Sequence, residues 1–118
     1  MNLVILTAQI GHYHDARYRA AAAAGVTFTV MATQNEADFA EFMASGSDLY
    51  SVHRLYPDRA TYTRAREAGT VWNKMTEALS RLDPSVVAVA GWATPESFAA
   101  IAWARRKNRP LVMLSESQ

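Results

Sequence analysis

"SVVAVAGWATPESFAAIAWARRKNRPLVMLS", residues 85–115, decides the fold. Two apolar runs, 85–92 and 110–115, flank a segment with helix signals at both ends. Thr94 is placed to cap a helix N-terminus and Pro95 suits its first position. Arg105, Arg106 and Lys107 suit the negative end of its dipole. The apolar runs lack alternation of polar and apolar residues, which fits strands buried on both faces of a parallel sheet. The stretch therefore reads as a β-α-β unit.

The same grammar extends towards the N-terminus. "LVILTAQI" (3–10) and "VTFTVMAT" (26–33) are further buried-strand candidates. "LYSVHRLYP" (49–57) is more mixed and ends in Pro57, as an outer strand would. "DARYRAAAAAG" (15–25) predicts an alanine-rich helix with Asp15 as N-cap and Gly25 at the C-terminal cap. In "RATYTRAREAGTVWNKMTEALSRL" (59–82), Ala68, Val71, Trp72, Met75, Leu79 and Leu82 recur with helical spacing, and Gly69 predicts a kink or break. Residues 34–48 carry no clear period and read mostly as loop. The helical spacing of Trp72 and Trp103 assigns both to the core.

The order β-α-β-loop-β-α-β-α-β, with right-handed crossovers, predicts a Rossmann-like doubly wound fold. It is an α/β/α three-layer domain with a mainly parallel five-stranded sheet of order 3-2-1-4-5. All 118 residues are assigned to one domain, and a last strand with no helix after it reads as an incomplete unit or as the margin of a genuinely small domain.

Composition narrows the function classes. Half the residues are hydrophobic, 19% are charged and the formal net charge is +1, so nothing marks a nucleic-acid or anionic-membrane binder. The absence of cysteine excludes disulfides and thiolate metal sites. No apolar run is long enough to span a bilayer, and "MNLVILTAQI" reads as a strand rather than a signal peptide. The expected setting is the cytoplasm.

Ligands of such sheets bind beyond the carboxyl ends of the strands, where the strand order reverses. That crevice falls between the first and fourth strands, bounded by residues 11–17 and 91–97, with 115–117 alongside. In "GHYHDARY", Gly11 permits a sharp turn, but one glycine is too few for a dinucleotide fingerprint and no GK[ST] follows. His12, Tyr13 and His14 suit a hydroxyl-rich ligand, and His12 or His14 is a candidate general base. Each histidine alternatively caps local backbone or is solvated. No third histidine accompanies them as a metal set. Gly91 and Trp92 end the fourth strand, Trp92 as either a sugar platform or a packing residue. Glu96 favours the helix dipole whatever else it does. Glu116 lies between Ser115 and Ser117 at the last strand's end. His53 reads as a surface residue.

The "YH-AR" turn with its alanine-rich helix, the "LYP" strand end, and "LDPSVVAVAGWATPESFAAIAWARRKNRPLVMLSES" together resemble GT-B glycosyltransferases of the family 4 type. The likeness runs over the whole chain. Ser85 stands where that family usually has aspartate, and no proline precedes Tyr13. The resemblance implies transfer of a sugar from a nucleotide-activated donor to a small-molecule or glycan acceptor, without a catalytic metal. His12 and His14 would be catalytic, and Gly11, Tyr13, Arg17, Gly91, Trp92, Glu96 and Glu116 would bind acceptor. The donor would belong to a C-terminal domain beyond this sequence. This part would bind no cofactor and would not turn over alone. Two alternatives are a stand-alone flavodoxin-like or receiver-like module, for which the acidic residues are Asp15 alone after the first strand and Asp58 after the third, and a nucleotide-binding half-domain. The half-domain would pair through edge strand 110–115, and an uncovered edge makes self-association an expectation for the first reading too.

Overall fold

Strand formation follows the β-branched runs. In the computed structural model, described for residues 2–7, 12–33, 51–90 and 94–114, the strands are β1 (Leu3–Thr7), β2 (Phe28–Ala32), β3 (Ser51–Arg54), β4 (Val86–Ala90) and β5 (Leu111–Leu114). The helices are α1 (His12–Ala23), α2 (Arg59–Ala68), α3 (Val71–Leu82) and α4 (Pro95–Arg106). The side chains of residues 12–15, 90 and 114 lie outside that description. All four strand pairings are parallel and the sheet order is β3-β2-β1-β4-β5, as expected. No described helix is long and apolar enough to cross a membrane.

The pleat sorts successive residues to opposite faces. Val4, Leu6, Met31, Val87 and Val89 face a large core shared with α2, α3 and α4. Phe28, Val30 and Ala32 face the other way, against Tyr18, Ala21 and Ala22 of α1. Trp103 is fully buried in the larger core, and its indole N–H donates to Ser80 Oγ across the α3–α4 seam at 3.2 Å.

Gly69 resolves the long helical stretch into two helices. Its φ of 75° is left-handed, its N–H donates to Arg66 O, and the Thr70 N–H donates to Ala65 O, a Schellman closure of α2. After this break α3 buries Val71, Met75, Ala78 and Leu79, a stripe of i, i+4, i+7, i+8 spacing. Trp72 sits one residue round from that stripe and is 42% exposed, so the core assignment made for it is incorrect.

Two further boundaries move. α1 begins at His12, which puts Asp15 inside the first turn rather than at the N-cap. β5 is not buried on both faces: Val112 and Met113 are 44% and 47% exposed at the sheet margin. Thr94 and Pro95 open α4 as read, the Thr94 hydroxyl accepting from the Ser97 N–H at 3.2 Å. Ser85 accepts from the Asn2 N–H through its hydroxyl at 2.8 Å, joining the chain's start to the base of β4.

Candidate functional site at the carboxyl edge of the sheet

The parallel strands all deliver their carboxyl ends to one edge. There β2 runs on into Thr33, whose N–H and hydroxyl both donate to Thr7 O, at 2.9 and 3.3 Å. β3 runs on through Leu55 and Tyr56, whose N–H groups donate to Ala32 O and Thr33 O. These bonds carry Tyr56 beyond the ordered ladder into the larger core, where it is buried.

α2 starts just after it. Asp58 caps this helix, its carboxylate accepting from the Thr61 N–H at 2.7 Å, and that hydrogen bond holds Asp58 below its ordinary value. The cap fixes the rotation of α2 so that Tyr62 turns inward and becomes its one buried residue. The Tyr62 hydroxyl donates to Glu96 Oε1 at 2.9 Å. Glu96 is 3% exposed, in the first turn of α4, where the helix dipole favours a carboxylate. Tyr62 is its only hydrogen-bond partner among the described residues, which leaves acceptor capacity on the carboxylate.

Burial, then the hydrogen bond to Glu96 and the charge of that carboxylate, push the Tyr62 hydroxyl up to about 12. Tyr62 is therefore a proton donor throughout the neutral range. The Tyr56 and Tyr62 rings meet edge-on, with centroids 5.7 Å apart. The Tyr56 hydroxyl is buried and has no hydrogen-bond partner among the described residues. Burial and the Glu96 charge push it upward as well. The nearby Thr70 hydroxyl acts in the opposite sense, but its proton goes to Ala65 O at 3.3 Å. A buried hydroxyl without a partner costs about 1–3 kcal/mol.

Of the residues singled out in the sequence, Glu96 stands in this buried polar cluster. Arg17 is exposed in the second turn of α1, on the opposite face of the sheet from α4. His12, Tyr13 and His14 have a helical backbone, but their side chains lie outside the described set. Gly11, Gly91, Trp92 and Glu116 lie outside the described residues altogether. Among the described residues, no three or more His, Cys, Asp or Glu side chains gather as metal ligands.

Sequence reading missed Tyr56 and Tyr62. The available signal was Tyr62 three residues before Ala65 on an otherwise polar helix, a spacing that marks the inward face. Nothing local could pair it with Glu96, which lies 34 residues further on.

No family model and no curated protein matches the chain. Among solved structures, the fold is similar to that of a UDP-GlcNAc 2-epimerase from Methanocaldococcus jannaschii, with a TM-score of 0.58 and 15% sequence identity. The match covers 97% of this chain and 31% of that enzyme, so the chain spans about a third of the length of the protein it resembles. At that identity the likeness establishes a shared Rossmann-like α/β fold.

Proposed function

We infer that this chain is the acceptor-binding part of a GT-B enzyme that moves a sugar from a nucleotide-activated donor to an acceptor. The observation carrying this reading is the buried Tyr62–Glu96 pair at the carboxyl edge, beside the point where strand order reverses. The likeness to an enzyme named for a nucleotide sugar, UDP-GlcNAc, supports the same substrate class.

In this reading, Tyr62 holds one oxygen of Glu96 while the carboxylate accepts a hydroxyl of the acceptor sugar. Gly11, Tyr13, Gly91, Trp92 and Glu116 complete the acceptor subsite, whereas Arg17, on the opposite face of the sheet from α4, does not. One imidazole takes the proton of the attacking hydroxyl as its oxygen bonds to the anomeric carbon and the nucleotide diphosphate departs. Donor binding falls to a C-terminal domain, the reaction is placed in the cytoplasm, and a second copy is the partner proposed for exposed Val112 and Met113 on β5.

Titration of the 118-residue chain with glucose, mannose and N-acetylglucosamine, followed by amide NMR, tests the site. Saturable shifts at Thr94–Ser97 and in the first turn of α1 are expected. Glu96→Gln, which still accepts from Tyr62, should weaken binding about tenfold through loss of charge-assisted bonding. Shifts confined to Asp58 and the start of α2 would overturn the assignment. The receiver-like alternative relies on Asp58, whose carboxylate is engaged as the α2 cap.

A further inference from the structure

The outward surface of α3 and α4 carries charge and aromatic area that the buried site does not use. α4 ends in Arg105 and Arg106, with Lys107 as its C-terminal cap, and all three are exposed. None of them pairs with a carboxylate among the described residues. On α3, exposed Lys74 and Arg81 are offset only by Glu77, which Arg81 engages. The exposed side chains of the two helices and the Lys107 cap thus set five cations against one carboxylate, a surplus of +4 on a chain whose net charge is +1. Whole-chain composition conceals the surplus, because Asp15, Glu36, Asp38, Glu41, Asp48 and Glu116 lie elsewhere in the sequence.

Two large aromatic residues share this surface. α3 and α4 pack on the same side of the parallel sheet and both return from its carboxyl edge, so they run parallel to each other. Trp72, Thr76 and Ser80 follow on α3 at i, i+4, i+8 spacing, and Ser80 receives the Trp103 indole at the α3–α4 seam. Trp72 therefore stands on the seam side of α3, in its first turn. Phe98, in the first turn of α4, is 47% exposed. The two rings flank the carboxyl-edge end of the seam, one from each helix. Phe98 and Arg105 are two turns apart, about 10 Å along one face of α4.

We propose that this surface docks on an anionic lipid bilayer, with Trp72 and Phe98 entering the headgroup region and Arg105, Arg106 and Lys107 meeting lipid phosphates. Charge complementarity selects the occupant. A second copy of this chain would bring +4 against +4, whereas anionic headgroups neutralise the surplus. Aromatic rings suit the bilayer boundary, and long arginine and lysine stems keep their charges at headgroup level while the rings are buried. The helices lie on the bilayer, since neither is long and apolar enough to cross it. The inference does not depend on the sugar reading, because none of these residues belongs to the Tyr62–Glu96 site.

Flotation of the 118-residue chain with vesicles tests the surface, comparing pure phosphatidylcholine with phosphatidylcholine mixed with phosphatidylglycerol. Binding to the anionic vesicles and not to the neutral ones is expected. It should weaken as salt rises from about 0.1 to about 1 M and the screening length falls from about 10 to about 3 Å. Each cation at such a surface is worth about fivefold in affinity, so joint replacement of Arg105, Arg106 and Lys107 by glutamine should weaken binding about a hundredfold. Trp72→Gln with Phe98→Gln should weaken it about tenfold. All five positions are exposed, so both variants should keep the parent's urea midpoint. No binding to anionic vesicles, equal binding to both kinds, or unchanged affinity in the cation variant would overturn the proposal. Loss in the cation variant alone would mark a purely electrostatic surface and overturn the docking of the rings. A single-stranded oligonucleotide bound as tightly as the anionic vesicles, or a dimer in sedimentation that Trp72→Gln abolishes, would assign the surface to nucleic acid or to a second copy instead.

Discussion

The two faces of the sheet are covered in different ways. On one, α2, α3 and α4 bury Trp103, Met75, Leu79, Val71 and Tyr62 against alternate residues of β1, β2 and β4. On the other, α1 lays Tyr18 and two alanines over Phe28, Val30 and Ala32, with the Tyr18 and Phe28 rings tilted at 5.9 Å. Large interlocking side chains make the first face costly to disturb. Small ones let α1 approach closely but leave little apolar area for each residue it orders. The buried functional pair belongs to the first face, where a carboxylate and a phenol can be held rigidly.

The largest test of this contrast is Trp103→Ala, which empties the centre of the deep face and should cost about 3–5 kcal/mol. A lower urea midpoint at unchanged slope is the expected readout. Tyr18→Ala on the α1 face should cost about 1–2 kcal/mol, as a half-buried ring and one aromatic pair are lost. Equal losses would break the contrast, whereas earlier amide exchange in α1 than in α3 would sharpen it.

Gly69→Ala comes next, at about 1 kcal/mol. Space is open around the position, but a left-handed φ is strained for alanine. A larger loss, spreading to Tyr62, would show that the α2–α3 break also sets the polar cluster.

Alkaline unfolding probes the pair itself. An unfolded chain releases the Tyr62 proton near the ordinary value of 10, whereas the folded chain keeps it to about 12. The stability linked to this group is therefore complete below 10 and falls as pH rises through 12. Tyr62→Phe should flatten that part of the pH–stability curve, and an unchanged slope would remove Tyr62 from the cluster's electrostatics. The smallest effect is expected at exposed Asp58. Its lowered value means that its contribution is present above the ordinary carboxylate range and lost in acid, so Asp58→Ala should approach the parent chain's stability as pH falls.

Local signals were strong enough to determine the strands, their order and most helix ends. β-branched runs have few other places to go, a threonine followed by proline opens a helix, and a glycine free to take positive φ closes one. Such choices depend on neighbours within about a turn, and the right-handed crossover does the rest. The site was legible only as an edge. Its location follows from topology, and Glu96 was visible as a first-turn carboxylate. Its burial and its bond to Tyr62 were not, because they depend on how α2 and α4 are rotated over a shared core. The same holds for Trp72, whose place beside the buried stripe was decided by packing of Val71, Met75, Ala78 and Leu79. Periodicity tells which residues share a helix face. Only the tertiary packing decides how far that face extends and what lies opposite, because burial is a property of two surfaces and a sequence presents them one at a time.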